Sequence, residues 1–405
     1  MNRSMIKKSQ LLIRLEKLSR FWEKISVCLL AVMLTGCGAG ESAYQQAVKL
    51  AENEEYEKSL PYFEDAIKEN AKEPEYYISY GMALNHVWKF EEAEKNFSSI
   101  LKSDYKISEG EKKQLYYGRA IAAHGMGDYK SALDYAEKAL KIKKLEKLDQ
   151  NIRYTEAVSL FLNGQAEKAE KICNKILSED NEDIESYLLL AGIQKAGGNV
   201  EGAVATYETA LSKKKEDYDI KFALYEAYVA MGKTDAAQEL LSDLTNQAGD
   251  SADELLAKGR AYYYQGNYDM ALKALAEATE KGEKKGLFYT GLVKKLQGNP
   301  EEAEKCFLDY LSNEKEDVIP ESYNQLAGIY IEKSQYKQAQ SMIKKGLDLG
   351  DTEAAKNLMR NQVILYELQG DYENAQKTAG EYLQIYAEDV SMQKELSFIQ
   401  TRLKK

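Results

Sequence analysis

Two histidines and four cysteines are the residues of this 405-residue chain best suited to metal binding or nucleophilic chemistry. His86 and His124 could share a metal ion, since imidazole is a common ligand of zinc and copper. However, no nearby Cys or carboxylate set completes a ligand motif. The sequence also contains no nucleophile elbow, Walker loop or His-Glu zinc motif. We therefore predict no catalytic activity, no cofactor and no metal, and we expect both histidines to be solvated.

Cys37 is the cysteine with the clearest chemical context. It follows a basic N-terminal segment and a short apolar run, Ile25–Leu34, a pattern typical of a secretory signal and too short for a confident membrane span. The residues Leu34-Thr35-Gly36-Cys37 resemble the lipobox of bacterial lipoproteins. The resemblance implies cleavage before Cys37 and a diacylglycerol on its thiol. An uncleaved signal anchor, or an ordinary signal cut nearby, are the alternatives.

The expected organisation at this end is a signal peptide over residues 1–36 and a flexible tether over residues 37–42. The mature chain would be lipid-anchored at the extracytoplasmic face of the cell membrane. Losing residues 1–36 removes seven basic and two acidic residues, so the formal net charge would change from −11 to −16. Such a chain is a poor ligand for nucleic acid, because phosphate contacts need clustered Lys and Arg. We expect membrane contact through the lipid only.

The elements that must position any binding residues are indicated by a small residue that recurs about every 34 positions. The spacing varies between 32 and 39 residues and predicts a solenoid of helical hairpins, in which each hairpin packs mainly on its neighbours. The recurring alanines are Ala93, Ala132, Ala169, Ala203, Ala237, Ala271, Ala303, Ala339 and Ala375, with Ser59 in the first such position.

Residues Leu255–Leu272 resemble the tetratricopeptide repeat, with a small residue at Gly259, a turn at Gly266 and the alanine at Ala271. The resemblance implies an all-α, right-handed superhelical solenoid of about ten hairpins. We assign the array to residues 43–388 and a C-terminal capping helix to residues 389–405. Trp88 stands where a turn glycine is expected, which suggests irregular packing there. The longer steps after Ala93 and Ala132 predict extended loops.

In this family the first helix of each hairpin lines the concave side, so side chains at i, i+4 and i+7 of these helices form a candidate groove. The groove is expected to be apolar in its N-terminal half and more polar later, where it includes Asn324 and Arg360. An alternative is that these rings pack against the neighbouring hairpin. The candidate groove residues are Tyr44, Val48, Ile78, Met82, Tyr117, Ile121, Tyr154, Val158, Phe161 and Leu188.

The function that this pattern favours is a membrane-tethered scaffold that binds a protein or peptide in an envelope, secretion or appendage-assembly complex. Glu75, Glu185, Asp219 and Asp253 at the groove rim would favour a ligand with an apolar core and basic flanks. The alternatives are an extracytoplasmic ligand-sensing or regulatory module and a non-catalytic accessory to a cell-wall enzyme.

Overall fold

The computed structural model describes residues 40–246, 249–313, 318–349 and 352–403, and all regular structure in these residues is α-helical. The chain divides into two compact units. Their described parts are residues 40–213, here the N-terminal unit, and residues 214–403, here the C-terminal unit. Each unit is a series of antiparallel helical hairpins, as the repeat spacing predicts.

The N-terminal unit contains five hairpins. In each of them the odd-numbered helix comes first and packs on the even-numbered helix that follows it. The helices are α1 Glu41–Glu52, α2 Tyr56–Glu69, α3 Pro74–His86, α4 Phe90–Leu101, α5 Glu109–Gly125, α6 Tyr129–Leu140, α7 Glu146–Leu162, α8 Ala166–Glu179, α9 Ile184–Ala196 and α10 Val200–Lys213.

The C-terminal unit contains five further hairpins and a last single helix. The helices are α11 Tyr218–Ala230, α12 Thr234–Asn246, α13 Ala252–Tyr264, α14 Tyr268–Glu280, α15 Lys285–Leu296, α16 Pro300–Asn313, α17 Glu321–Glu332, α18 Tyr336–Asp348, α19 Thr352–Leu368, α20 Tyr372–Ile385 and α21 Val390–Leu403. The prediction of an all-α array of about ten hairpins with a closing helix is therefore confirmed over the described residues.

The recurring small residues lie where the sequence predicts, at the contact between the helices. Ser59 and all nine alanines of the series are at most 2% exposed. Glycines on the first helices allow a still closer approach of aromatic rings. A Cβ on Gly81 would lie 2.4 Å from Cζ of Phe97, and one on Gly118 would lie 2.3 Å from the same atom. Any side chain at these two positions would therefore displace the ring.

The turns between the paired helices need a residue in the left-handed region, which glycine adopts without steric cost. Gly127 and Gly298 fill this position with φ of 70° and 77°. Trp88 occupies the same turn position with φ of 64°. The backbone at Trp88 therefore keeps the common turn conformation, although tryptophan rarely adopts it.

The longer repeat steps are taken up by longer first helices and by longer connections, which span residues 102–108 and 141–145. Helices α5 and α7 each contain 17 residues, whereas α3 contains 13. The additional N-terminal residues of α5 and α7 continue the helix over part of the two segments where we predicted extended loops. A capping box at Ser108 and Glu111, which satisfies free N–H groups at the helix start, begins α5.

Both ends of the described chain are fixed by polar contacts. The Gly40 N–H donates to Glu69 Oε2 at 2.8 Å and α1 begins at Glu41, so the predicted tether does not extend to residue 42. At the other end Met392 and Ile399 of α21 are buried in a core cluster shared with α20. Asp389 accepts a hydrogen bond from the Tyr382 hydroxyl at 2.5 Å and also pairs with Arg360.

Candidate functional site

Most of the predicted groove residues are enclosed by the helices of the N-terminal unit. Eight of the ten are at most 8% exposed, and only Tyr44 and Leu188 are half-buried. The first helices of successive hairpins contact one another, so this stripe faces the neighbouring first helix. The expected open groove is therefore corrected for these eight: the packing alternative describes their surroundings. The buried residues are Val48, Ile78, Met82, Tyr117, Ile121, Tyr154, Val158 and Phe161.

Tyr44, one of the two half-buried members, makes contacts within the fold. The Tyr44 hydroxyl lies 3.0 Å from Ser79 Oγ, and its ring is stacked on Tyr76 with centroids 4.6 Å apart. Burial, together with the nearby Glu75 and Glu41 carboxylates, raises the pKa of Tyr44 well above its usual value. The hydroxyl therefore stays protonated, and the ring belongs to the packing of α1 on α3.

His124 is buried and His86 is half-buried, which corrects the expectation that both are solvated. The His124 ring nitrogen Nδ1 lies 2.9 Å from Ser159 Oγ, and the His86 ring is stacked on Tyr56 with centroids 4.0 Å apart. Burial lowers the pKa of each imidazole to about 4. Both side chains are therefore neutral parts of the N-terminal unit at neutral pH.

The lowered pKa values of the two histidines predict that the N-terminal unit loses stability as pH falls from about 6.5 to 4. In this window the unfolded chain binds protons that the folded imidazoles exclude, which favours unfolding. At pH 5 the loss should be on the order of 2 kcal/mol per histidine. The measurement is hydrogen exchange in α3, α5 and α7 at pH 7 and pH 5, corrected for intrinsic rates. The His124→Asn variant should show a smaller pH dependence, and an unchanged dependence would contradict the assignment.

The cysteines agree with a packing role. Cys173 is buried, and burial raises the pKa of its thiol to about 12. Cys306 is half-buried with its pKa also raised by burial, which disfavours the reactive thiolate in both cases. Cys37 and the signal segment lie outside the described residues.

The described part of the chain contains neither a metal-binding cluster nor a membrane-spanning helix. No group of three or more His, Cys, Asp or Glu side chains is arranged to hold a metal ion there. Among the same described residues, no helix has the length and apolar character needed to cross a bilayer.

Among the described residues, the large apolar side chains that are exposed on first helices all belong to the C-terminal unit. Val229 on α11, Leu296 on α15, and Ile364 and Leu368 on α19 are each more than 40% exposed. The first helices of the N-terminal unit carry no exposed large apolar side chain among the described residues. We expected the accessible apolar surface in the N-terminal half, and on the first helices it lies in the C-terminal unit instead.

A cluster of aromatic rings around Arg260 connects α11, α13 and α15 on this first-helix surface. We call it the Arg260 cluster. Its ring centroids lie 4.9 Å apart for Tyr225 and Tyr264, 5.2 Å for Tyr263 and Tyr264, and 6.3 Å for Tyr263 and Tyr289. The members are Phe222, Tyr225, Arg260, Tyr263, Tyr264 and Tyr289, and all except Phe222 are half-buried.

The guanidinium of Arg260 lies inside this cluster. Its Cζ is 3.7 Å from the Phe222 ring centroid and 5.2 Å from that of Tyr289. Nη1 lies 3.5 Å from Asp219 Oδ1, longer than a normal hydrogen bond, and Nε is buried without a hydrogen-bond partner. The cluster therefore combines accessible aromatic rings with a cation whose hydrogen-bonding capacity is largely unused.

The polar residues expected in the later part of the groove are committed to structural contacts. Asn324 is buried, and its Oδ1 accepts a hydrogen bond from Asn361 Nδ2 at 2.8 Å. The Arg360 guanidinium donates to Tyr382 at 2.9 Å and to Asp389. The sequence analysis assigned no role to Arg260 and Tyr263. The run Tyr262-Tyr263-Tyr264 was the available signal.

The repeated hairpins define the class of protein, and family models agree with them. Models described as tetratricopeptide repeat match residues 123–193, 195–259, 256–317 and 320–349. These matches cover more than half of the chain. The chain belongs to the tetratricopeptide-repeat family, whose fold serves as a scaffold for protein–protein interaction.

Solved structures resemble the chain at low identity. The Cut9–Hcn1 hetero-tetramer of APC/C is 13% identical, with a TM-score of 0.46 over 90% of this chain and 84% of that one. A tetratricopeptide repeat protein from Parabacteroides merdae is 16% identical, with a TM-score of 0.42 over 65% and 98%. YrrB, described as having an unusual peptide-binding site, is 17% identical, with a TM-score of 0.35 over 45% and 89%. At these identities and TM-scores, the similarity does not identify a ligand for the present chain.

Proposed function

We propose that the chain is a scaffold that binds a polypeptide on the first-helix surface of its C-terminal unit, with the Arg260 cluster at the contact. The observation that carries the proposal is the continuous row of half-buried aromatic rings on α11, α13 and α15. Tyrosine and arginine side chains of this kind are enriched where proteins bind one another, because they combine apolar area with hydrogen bonding. Exposed Val229 and Leu296 extend the apolar surface on the flanking helices.

We further propose that the scaffold is tethered by a lipid on Cys37 at the extracytoplasmic face of the membrane and works in an envelope assembly. The support is the lipobox-like sequence and its preceding apolar run. Three peptide units separate Cys37 from the hydrogen-bonded Gly40, and three extended residues span at most about 11 Å. A lipid on Cys37 would therefore hold the first hairpin close to the bilayer surface.

Site-specific photo-crosslinking tests the binding surface. A photoreactive residue at Leu296, which is 57% exposed on α15, should yield a discrete protein adduct in cells that express the full chain. The matched control is Met270, 42% exposed on the second helix α14 of the neighbouring hairpin. Adducts of equal yield from both positions, or from neither, would contradict a binding role for this surface.

The tether is tested separately with the Cys37→Ala variant. We expect the unaltered chain to partition with membranes in a detergent-dependent way and to gain the mass of a diacylglycerol at Cys37. The variant should lose both properties and should keep its circular dichroism spectrum. Membrane association that is the same in both proteins would overturn the lipid anchor while leaving the polypeptide-binding surface unaffected.

A further inference from the structure

The unusual feature of Arg260 is how few of its N–H groups have partners. Its side chain is 15% exposed, so most of the guanidinium has left water. A guanidinium has five N–H donors, and enclosed ones are normally paired with carboxylates. The contact with Asp219 spans 3.5 Å and involves a carboxylate that is 77% exposed. Arg260 is therefore enclosed by rings but poorly paired.

Two other arginines with the same degree of exposure provide an internal comparison. The Arg119 side chain is 16% exposed, and its Nε lies 3.0 Å from both carboxylate oxygens of Glu94. The Arg153 side chain is 13% exposed and pairs with Glu179 at 2.6 Å. Each therefore has a close carboxylate partner within the fold. Arg260 lacks one, although the chain is acidic overall with a net charge of −11.

The surroundings of Arg260 indicate what kind of anion would fit. The Phe222 ring covers one part of the guanidinium, while Tyr263 and Tyr289 extend the aromatic surface from α13 to α15. Apolar contact surface thus lies on both sides of the cation along the row of first helices. A planar carboxylate can accept two parallel hydrogen bonds from a guanidinium, and the flanking rings can hold apolar side chains.

We propose that the Arg260 cluster recognises an Asp or Glu side chain that lies within an extended polypeptide and is flanked by apolar or aromatic residues. This inference rests on the proposed binding function and names the ligand chemistry of the same surface. An internal side chain fits better than a chain terminus, because aromatic surface continues on both sides of the cation. It also differs from our first expectation of basic flanks, which rested on the acidic rim alone. Asp219 would be the residue that the ligand carboxylate replaces.

The test selects peptides from a phage-displayed random 12-mer library against the full chain. The C-terminus of each displayed peptide is joined to the coat protein, so its carboxylates are on side chains. We expect enriched peptides to share an acidic residue flanked by apolar ones. A synthetic peptide with blocked ends should then lose about tenfold to a hundredfold in affinity when its acidic residue is changed to the amide.

The same loss should follow from the Arg260→Met variant, which keeps an apolar stem on Phe222. The amide peptide should show no further loss on this variant, since the two changes remove one interaction. Arg260→Lys should recover only part of the affinity, because a lysine cannot donate to both carboxylate oxygens as a fork. Lys273→Met on α14, at an exposed position, removes the same charge from the second-helix side and should leave the affinity unchanged.

The outcomes separate this inference from the proposed function. Selected peptides without a shared acidic residue, but sensitive to Tyr263→Ala, would overturn the carboxylate assignment and leave polypeptide binding intact. The same holds if acidic peptides bind equally well to Arg260→Met. Binding that requires a free C-terminal carboxylate on a synthetic peptide would also overturn the assignment to a side chain. Peptides insensitive to both variants, or no enriched peptide at all, would count against both proposals.

Discussion

Replacing Lys113 by methionine should destabilise the N-terminal unit by about 3–5 kcal/mol. The Lys113 ammonium on α5 and the Asp149 carboxylate on α7 form an ion pair that is almost completely buried. Lys113 also donates to the Lys143 carbonyl oxygen at 2.9 Å, and Asp149 accepts from the Leu145 N–H at 3.3 Å. The variant leaves the carboxylate buried without its cation, which is costlier than the loss of the attraction itself.

Urea unfolding of the full chain, combined with hydrogen exchange in α5 and α7, measures this effect. The double variant Lys113→Met with Asp149→Leu should recover most of the lost stability, because no unpaired charge remains. Lys138→Met is the matched control, since Lys138 pairs with Asp134 on the exposed surface of α6. It should leave the free energy of unfolding almost unchanged, because an exposed ion pair contributes little to stability. A comparable cost for both single variants would show that burial of the pair contributes little.

Replacing Phe97 by alanine should lower the free energy of unfolding of the N-terminal unit by about 3–5 kcal/mol. The ring is fully buried on α4 and lies against Gly81 of α3 and Gly118 of α5. It thus fills the space that two missing side chains leave, and its loss opens a cavity that neither glycine can fill. The free energy of unfolding of the N-terminal unit, measured by urea titration, reports the loss.

The Gly118→Ala substitution provides the control, because its effect should change sign with the residue at position 97. In the unaltered chain the new Cβ would meet the Phe97 ring at 2.3 Å, and overpacking should cost about 1–3 kcal/mol. In the Phe97→Ala background the same change should stabilise, because it fills space and favours the helix by about 1 kcal/mol. A destabilising effect of equal size in both backgrounds would contradict the steric explanation.

The packing between paired helices could be predicted from the sequence because it depends on local size. The alanine series marks the positions where helices meet, and each member is buried as expected. Glycine also predicted most of the turn positions, but not all of them. Trp88 adopts the same left-handed conformation as Gly127 because the hairpin connection requires it, whatever residue stands there.

The location of the accessible surface could not be predicted in the same way. Tyr154 and Tyr263 are both tyrosines on first helices, yet Tyr154 is buried and Tyr263 is half-buried. Their surroundings differ because residues of neighbouring hairpins enclose each position, and no single residue specifies those neighbours. The buried pair of Lys113 and Asp149 was missed for a related reason, since its members come from different hairpins.

The sequence by itself thus determined the repeat, the hairpins, the small-residue contacts and the basis for a proposed lipid tether, because each follows from residue type at short or regular spacing. The tertiary structure decided which face is open, which charges are paired inside the fold, and that Arg260 lies enclosed without a close carboxylate. Those properties arise between hairpins. They depend on contacts between residues that are far apart in sequence, and the periodicity within one repeat carries no information about such contacts.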